Sequence, residues 1–140
     1  MQKQNICSFN LPKRKEIAEL FKCNNDFVGR EEMINFVYRV VIEPGLLGLD
    51  YSDIKNIFVP NPKFRFIKTF LNKINKYQTA INNSAGIFVI FTCGPEDTLG
   101  FVNAILEEHF HKADACVPQC FIGPKAQSGN PKLEIILANR

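Results

Sequence analysis

Nine consecutive residues, Ala85-Gly86-Ile87-Phe88-Val89-Ile90-Phe91-Thr92-Cys93, constrain this 140-residue chain more than any other stretch. A half-exposed strand alternates polar and apolar side chains, and this run does not alternate. Its β-branched and aromatic residues suit a pleated backbone. The run therefore predicts a strand buried on both faces, which needs covering layers above and below. It is far shorter than the ~20 apolar residues of a membrane helix, and no apolar stretch of signal-peptide length follows Met1. A cytoplasmic protein is expected.

The flanking segments supply the covering layers. Gly94-Pro95-Glu96-Asp97 reads as a helix start, with proline at the first position and acids in the first turn. Leu99, Val102, Leu106 and Phe110 then form an apolar stripe, and residues 115–122 and 132–138 read as strands. Upstream, residues 63–71 alternate as a strand and 72–83 read as a helix with Ile74, Tyr77 and Ile81 inward. Near the start, residues 5–10 suggest a short strand, and Pro12 opens a helix with Ile17, Leu20 and Phe21 on one face. Strands alternating with helices define an α/β fold: a mixed sheet of about four strands packed with helices and preceded by a long helix. The domain organisation expected is an N-terminal segment, 1–24, and a single domain over 25–140.

That long helix runs from Asn25 or Asp26, either of which fits an N-cap, to Glu43, where Pro44-Gly45 ends it. Its centre, Met33-Ile34-Asn35-Phe36-Val37-Tyr38-Arg39-Val40-Val41-Ile42, is apolar on nearly every side. Such a helix must be covered all round, which suggests a rod lying between two bodies or against a partner. Left exposed, it predicts self-association.

Composition and charge narrow the function classes. Lys+Arg 17 against Asp+Glu 14 leaves a net charge of +3, which is no footprint of a dedicated nucleic-acid binder. The five cysteines are an odd number in a chain large enough to fold without staples, so reduced thiols are expected. Zinc on His109, His111, Cys116 and Cys120 would need ligands that converge; a Cys-x3-Cys pair in a strand and alternating histidines do not, and no metal site is assigned.

Two motifs carry a family resemblance. Ile42-Glu43-Pro44-Gly45-Leu46-Leu47-Gly48-Leu49-Asp50-Tyr51-Ser52-Asp53-Ile54-Lys55 is similar to the end of the central helix, the "synergy" loop and the next helix of the FtsZ/tubulin family, FtsZ more than tubulin. Ala85 to Leu99 resembles the family's strand, glycine-containing turn and helix start, and Leu133-Glu134-Ile135-Ile136-Leu137-Ala138 its closing strand. The resemblance spans roughly residues 20–140 and implies the family's C-terminal domain without its GTP-binding half. No glycine-rich phosphate loop occurs in the chain.

What the resemblance implies is an assembly module for cell division or the cytoskeleton, acting within a divergent GTPase or as a free-standing regulator. Partners would be FtsZ/tubulin-like subunits or further copies of the chain. No cofactor is expected on the chain alone; GTP and Mg²⁺ would come through a partner's nucleotide domain. In FtsZ-like filaments two acids of this loop act in trans on the neighbour's nucleotide, and the matching residues are Asp50 and Asp53. Three apart at a helix start, they share a face, and carboxylates so placed can orient the attacking water and accept its proton. Gly48 stands where the family has asparagine and offers no side-chain donor. Asn25-Asp26 loosely matches the family's guanine-holding pair, although a helix cap accounts for it better. The family's membrane-recruiting tail has no counterpart here, so no membrane anchor is expected.

Two other readings stay open from the residues. Lys63, Arg65 and Lys68 interleave with Phe64, Phe66 and Phe70, as in nucleic-acid stacking platforms, or else the strand is an edge with an aromatic inner face. Cys93, before a helix start, could serve as a nucleophile beside His109 or His111.

Overall fold

The two apolar runs of the C-terminal half lie side by side at the centre of one four-stranded sheet. The structure, a computed structural model, describes residues 13–22, 27–43, 51–60, 63–123 and 130–139. In chain order the elements are α1 (Arg14–Leu20), α2 (Phe27–Ile42), α3 (Tyr51–Phe58), β1 (Phe64–Phe70), a 3₁₀ helix (Leu71–Tyr77), α4 (Gln78–Asn82), β2 (Ser84–Cys93), α5 (Leu99–His109), β3 (Ala115–Ile122) and β4 (Lys132–Asn139). The sheet order is β1-β4-β2-β3; β2 and β3 run parallel, and the other pairs are antiparallel. The α/β class and the four-stranded mixed sheet agree with the sequence reading, while the strand expected at 5–10 lies outside the described residues.

Both central strands are closed to water on both faces. Phe88, Ile90, Ile136 and Ala138 point to one side, where α1, α2 and α3 pack. Ile87, Val89, Phe91, Leu133, Ile135 and Leu137 point to the other, covered by the 3₁₀ helix, α4 and α5. Each fully buried Phe, Ile or Leu contributes about 1.5–3 kcal/mol, so the doubly covered pair carries much of the apolar driving force. β3, an edge strand, accommodates Pro118 opposite Val89 because a proline there forfeits no interior ladder bond.

Aromatic rings fix where the first helices sit. Phe21 at the end of α1, Phe58 at the end of α3 and Phe64 at the start of β1 form a triangle with centroids 5.0–5.4 Å apart, two of the contacts edge-on. Phe36 of α2 meets Phe66 and Phe88 at 5.2 and 5.9 Å. Glu134, an acid within a central strand and only 7% exposed, is neutralised by Arg39 at 3.7 Å and Lys132 at 3.9 Å. The Arg39 guanidinium in turn lies over the Phe36 and Phe121 rings, 5.9 Å from each. A buried carboxylate needs such partners, and the pair ties α2 to β4.

Three local expectations are corrected. The segment 72–83 is a 3₁₀ helix followed by the short α4 rather than one α-helix, although Ile74 and Ile81 are buried as expected. Gly94-Pro95-Glu96-Asp97 is a turn in which the Gly94 amide donates to Asp97 Oδ2 at 2.9 Å; the helix begins later, with the Thr98 hydroxyl accepting from the Phe101 amide at 3.1 Å. Starting there rotates the buried stripe to Val102, Ile105 and Phe110, and Leu99 is 46% exposed. The long helix α2 is likewise not a bare rod. Met33, Ile34, Phe36, Val37 and Val40 are buried by the chain itself. The exposed positions Glu32, Asn35, Arg39 and Ile42 fall three or four apart on one stripe. The ground for self-association through an open apolar helix is thereby removed.

The closest backbone approach is at Gly86. A Cβ built there would collide with the Ile57 side chain of α3, so glycine sets how near α3 lies to β2. Gly86→Ala is expected to destabilise the protein by about 1–3 kcal/mol through overpacking, read from chemical denaturation. In an Ile57→Ala background the same substitution should cost less, because the colliding methyl is gone.

Candidate functional site

Helix α3 presents the candidate acid Asp53. Ile54, Ile57 and Phe58 anchor its inner face, while Ser52, Asp53, Lys55 and Asn56 are exposed. At the entry, the Tyr51 hydroxyl donates to the Glu16 carbonyl of α1 at 3.4 Å, and Lys55 lies 5.7 Å from the Tyr51 ring centroid. Burial, with Glu16 nearby, pushes the Tyr51 phenol above its ordinary value. The entry of the helix is thus pinned by its inner residues, and Asp53 sits in the first turn, where the helix dipole favours a negative charge. Among the described residues Asp53 has no ion-pair or hydrogen-bond partner. Asp50, Gly48, Asn25 and Asp26, the other candidates, lie outside the described residues.

The histidines and cysteines do not assemble a centre. His109 Nδ1 meets Gln78 Oε1 and its Nε2 meets Glu108 Oε2, each at 2.9 Å. Gln78 Nε2 also donates to the His109 carbonyl and to Asn82 Oδ1, so the histidine ties the end of α5 to α4. Cys93 and Cys120 lie on neighbouring strands, Sγ to Sγ 3.7 Å and not joined in a disulfide, both buried. Burial raises the Cys120 thiol and pushes the Cys116 thiol up to about 12. Among the described residues no group of three or more His, Cys, Asp or Glu comes together. The Cys93 thiol is buried, and His109 is engaged by Gln78 and Glu108.

The strand 64–70 turns Phe64 and Phe66 toward the helices. The rings of Phe64 and Phe66 pack against Phe21, Phe58 and Phe36 inside the core. Phe64 and Phe66 are half-buried, and Phe70 is the most exposed of the three at 36%. The edge strand with an aromatic inner face is the arrangement found. Among the described residues no helix is long and apolar enough to cross a membrane.

The raised thiol has a measurable consequence. A free thiol near pKa 9.0 loses its proton in the unfolded chain while Cys116 keeps its own up to about 12. The folded state then holds more protons, and stability falls as pH rises through that window by up to about 1.4 kcal/mol per pH unit. Below pH 9.0 the contribution is fully present. Cys116→Ala should flatten the decline relative to the parent, as measured by denaturation midpoints across the alkaline range.

No protein-family model matches the chain, and no curated protein matches it in sequence. Solved structures do match in shape. The empty FtsZ dimer of M. jannaschii superposes with a TM-score of 0.60 at 13% identity, covering 80% of this chain and 38% of that one. A variant FtsZ from the same organism gives 0.56 at 12% identity, with 80% and 39% covered. CetZ from Methanosaeta thermophila gives 0.53 at 10% identity, with 82% and 39% covered. At such identities the likeness is one of fold, and the chain spans less than two-fifths of the length of these relatives. Its long helix, short helix and helix-covered mixed sheet have the fold of the FtsZ-type C-terminal domain.

Proposed function

We propose that the chain is an FtsZ-like cytoskeletal or cell-division module that docks, in the cytoplasm, on a GTP-dependent FtsZ-type filament through the face bearing Asp50 and Asp53. The observation that carries this reading is Asp53, exposed in the first turn of a helix whose inner residues are locked into the core of an FtsZ-type fold. A helix so anchored delivers its outward acid at a fixed position, and positioning is most of what phosphoryl transfer asks of a protein. Asp50, three residues earlier, would stand on the same face.

In this reading the nucleotide and its Mg²⁺ belong to the neighbouring subunit. The two carboxylates would orient the attacking water and receive its proton. Gly48 supplies no side-chain hydrogen bond there, so the acids carry the contribution alone. Asn25 and Asp26, ahead of α2, would touch a base only if a partner brought one to them. The module acts either as one piece of a divided GTPase or as a separate regulator of filament growth.

Light scattering and pelleting of an FtsZ with GTP, with and without this protein, test the proposal. Polymer mass or GTP turnover should change on addition. In Asp50→Ala/Asp53→Ala a stimulated turnover should drop by about 10²-fold or more. Loss of the exposed Asp53 costs the fold only about 0.3–1 kcal/mol, so a denaturation curve separates docking from unfolding. An unchanged assembly with the parent protein would sink the idea.

A further inference from the structure

The 3₁₀ helix stands out by its length. Runs beyond three or four residues are uncommon because the geometry is tight, and this one holds seven residues, Leu71-Asn72-Lys73-Ile74-Asn75-Lys76-Tyr77. With three residues per turn, side chains at i and i+3 eclipse. Ile74 and Tyr77 are thereby stacked inward, and Lys73 and Lys76 are stacked outward. The tighter winding sets the two lysines more nearly in line than the i, i+3 spacing of an α-helix would. Here two like charges share one line, with no carboxylate within 4.0 Å of either among the described residues.

The neighbouring strands add to this concentration. Lys132 of β4 pairs in register with Phe70 of β1, and Lys68 stands two residues back on the same side of the strand. Lys68, Lys73, Lys76 and Lys132, with Thr69, Phe70 and Tyr77, line a cavity of about 310 Å³ at the end of β1. That is the lower range of small-ligand sites. Two of the lysines are partly answered, Lys68 by Glu32 at 3.0 Å and Lys132 by Glu134 at 3.9 Å. The Tyr77 ring is already occupied by cations, Arg65 and Lys76 lying 5.8 and 5.7 Å from its centroid.

We propose that this lysine-lined cavity is a binding site for a compact ligand bearing several phosphate groups. Four lysines line one concavity, two of them with no carboxylate within 4.0 Å among the described residues, and an anion held there relieves the repulsion between their like charges. Among the described residues the lining cations are all lysine, which suits phosphate as a point charge; a planar carboxylate is the preferred partner of an arginine fork. Arg65 lies over Tyr77. With both the Tyr77 ring and the inner phenylalanines engaged, the site offers charge rather than a stacking surface, which favours a phosphate chain over single-stranded nucleic acid. The cavity is separated from α3 by the length of β1, about 20 Å, so it stands or falls apart from the docking face.

Calorimetric titration of the full chain with sodium tripolyphosphate at about 50 mM salt tests the site, and affinity should fall as salt rises. Inorganic phosphate alone should bind at least about tenfold more weakly, and so should tripolyphosphate to Lys73→Gln/Lys76→Gln. Both lysines are exposed, so that variant keeps the fold, which circular dichroism checks. Glu32→Gln should tighten binding by about two- to fivefold, since it frees Lys68 from its carboxylate. Adenosine triphosphate binding as well as tripolyphosphate would identify the phosphate chain as the recognised part. Absence of tripolyphosphate binding, indifference to the double lysine substitution, or a preference for a single-stranded oligonucleotide would overturn the proposal.

Discussion

Two adjacent strands without a polar face impose the architecture. β2 and β4 pair antiparallel from Gly86 to Thr92, with a register shift between Ser84 and Gly86, and their side chains are buried above and below. A sheet with such a centre is stable only as the middle layer of three, and the helices divide accordingly. α1, α2 and α3 cover one face, and the 3₁₀ helix, α4 and α5 the other. The edges are handled differently: β3 carries Pro118, and β1 is lined by basic side chains at its far end.

The same constraint places the functional surfaces. α3 can approach β2 closely because Gly86 has no side chain, and the ring triangle of Phe21, Phe58 and Phe64 locks its end. Whatever faces the core from α3 fixes by elimination what faces water, and Asp53 is on that outer side. Glu134 shows the converse problem, a charge inside the sheet made tolerable by Arg39 and Lys132. Arg39 also explains why α2 looked bare in sequence: together with Glu32 and Asn35 it supplies the polar stripe along which the helix meets solvent.

Much of the fold was legible because its strongest signals are local. The unbroken β-branched run 85–93 and the Pro44-Gly45 stop after the long helix each mark an element without reference to the rest. The misreadings have a common physical origin. Pro95 with two acids behind it is an acceptable first helical turn, but Asp97 is drawn back to the Gly94 amide and Thr98 takes over as the cap. The segment 71–77 has an α-like apolar pattern, and the tighter winding appears only once Ile74 and Tyr77 are pressed against the sheet. A heavily apolar helix reads as uncovered when its cover comes from β-strands far along the chain. The candidate pair was legible as two acids at a helix start, of which Asp53 lies on a described, exposed position. The lysine cavity gave no sequence signal, since its four residues come from three elements and most lysine clusters are simply solvated.

By itself the sequence determined that a doubly buried strand sits amid helices, where those helices begin and end to within a few residues, and that Asp53 lies in the first turn of a short helix. These follow from side-chain period, capping chemistry and backbone restriction, which act over a few residues. The tertiary structure alone decided that β4 enters between β1 and β2, that Glu134 is met by Arg39, and that Lys68, Lys73, Lys76 and Lys132 surround one hollow. Each of these depends on which distant segments come into contact, and contact is settled by the burial of the whole apolar surface at once rather than by any local preference.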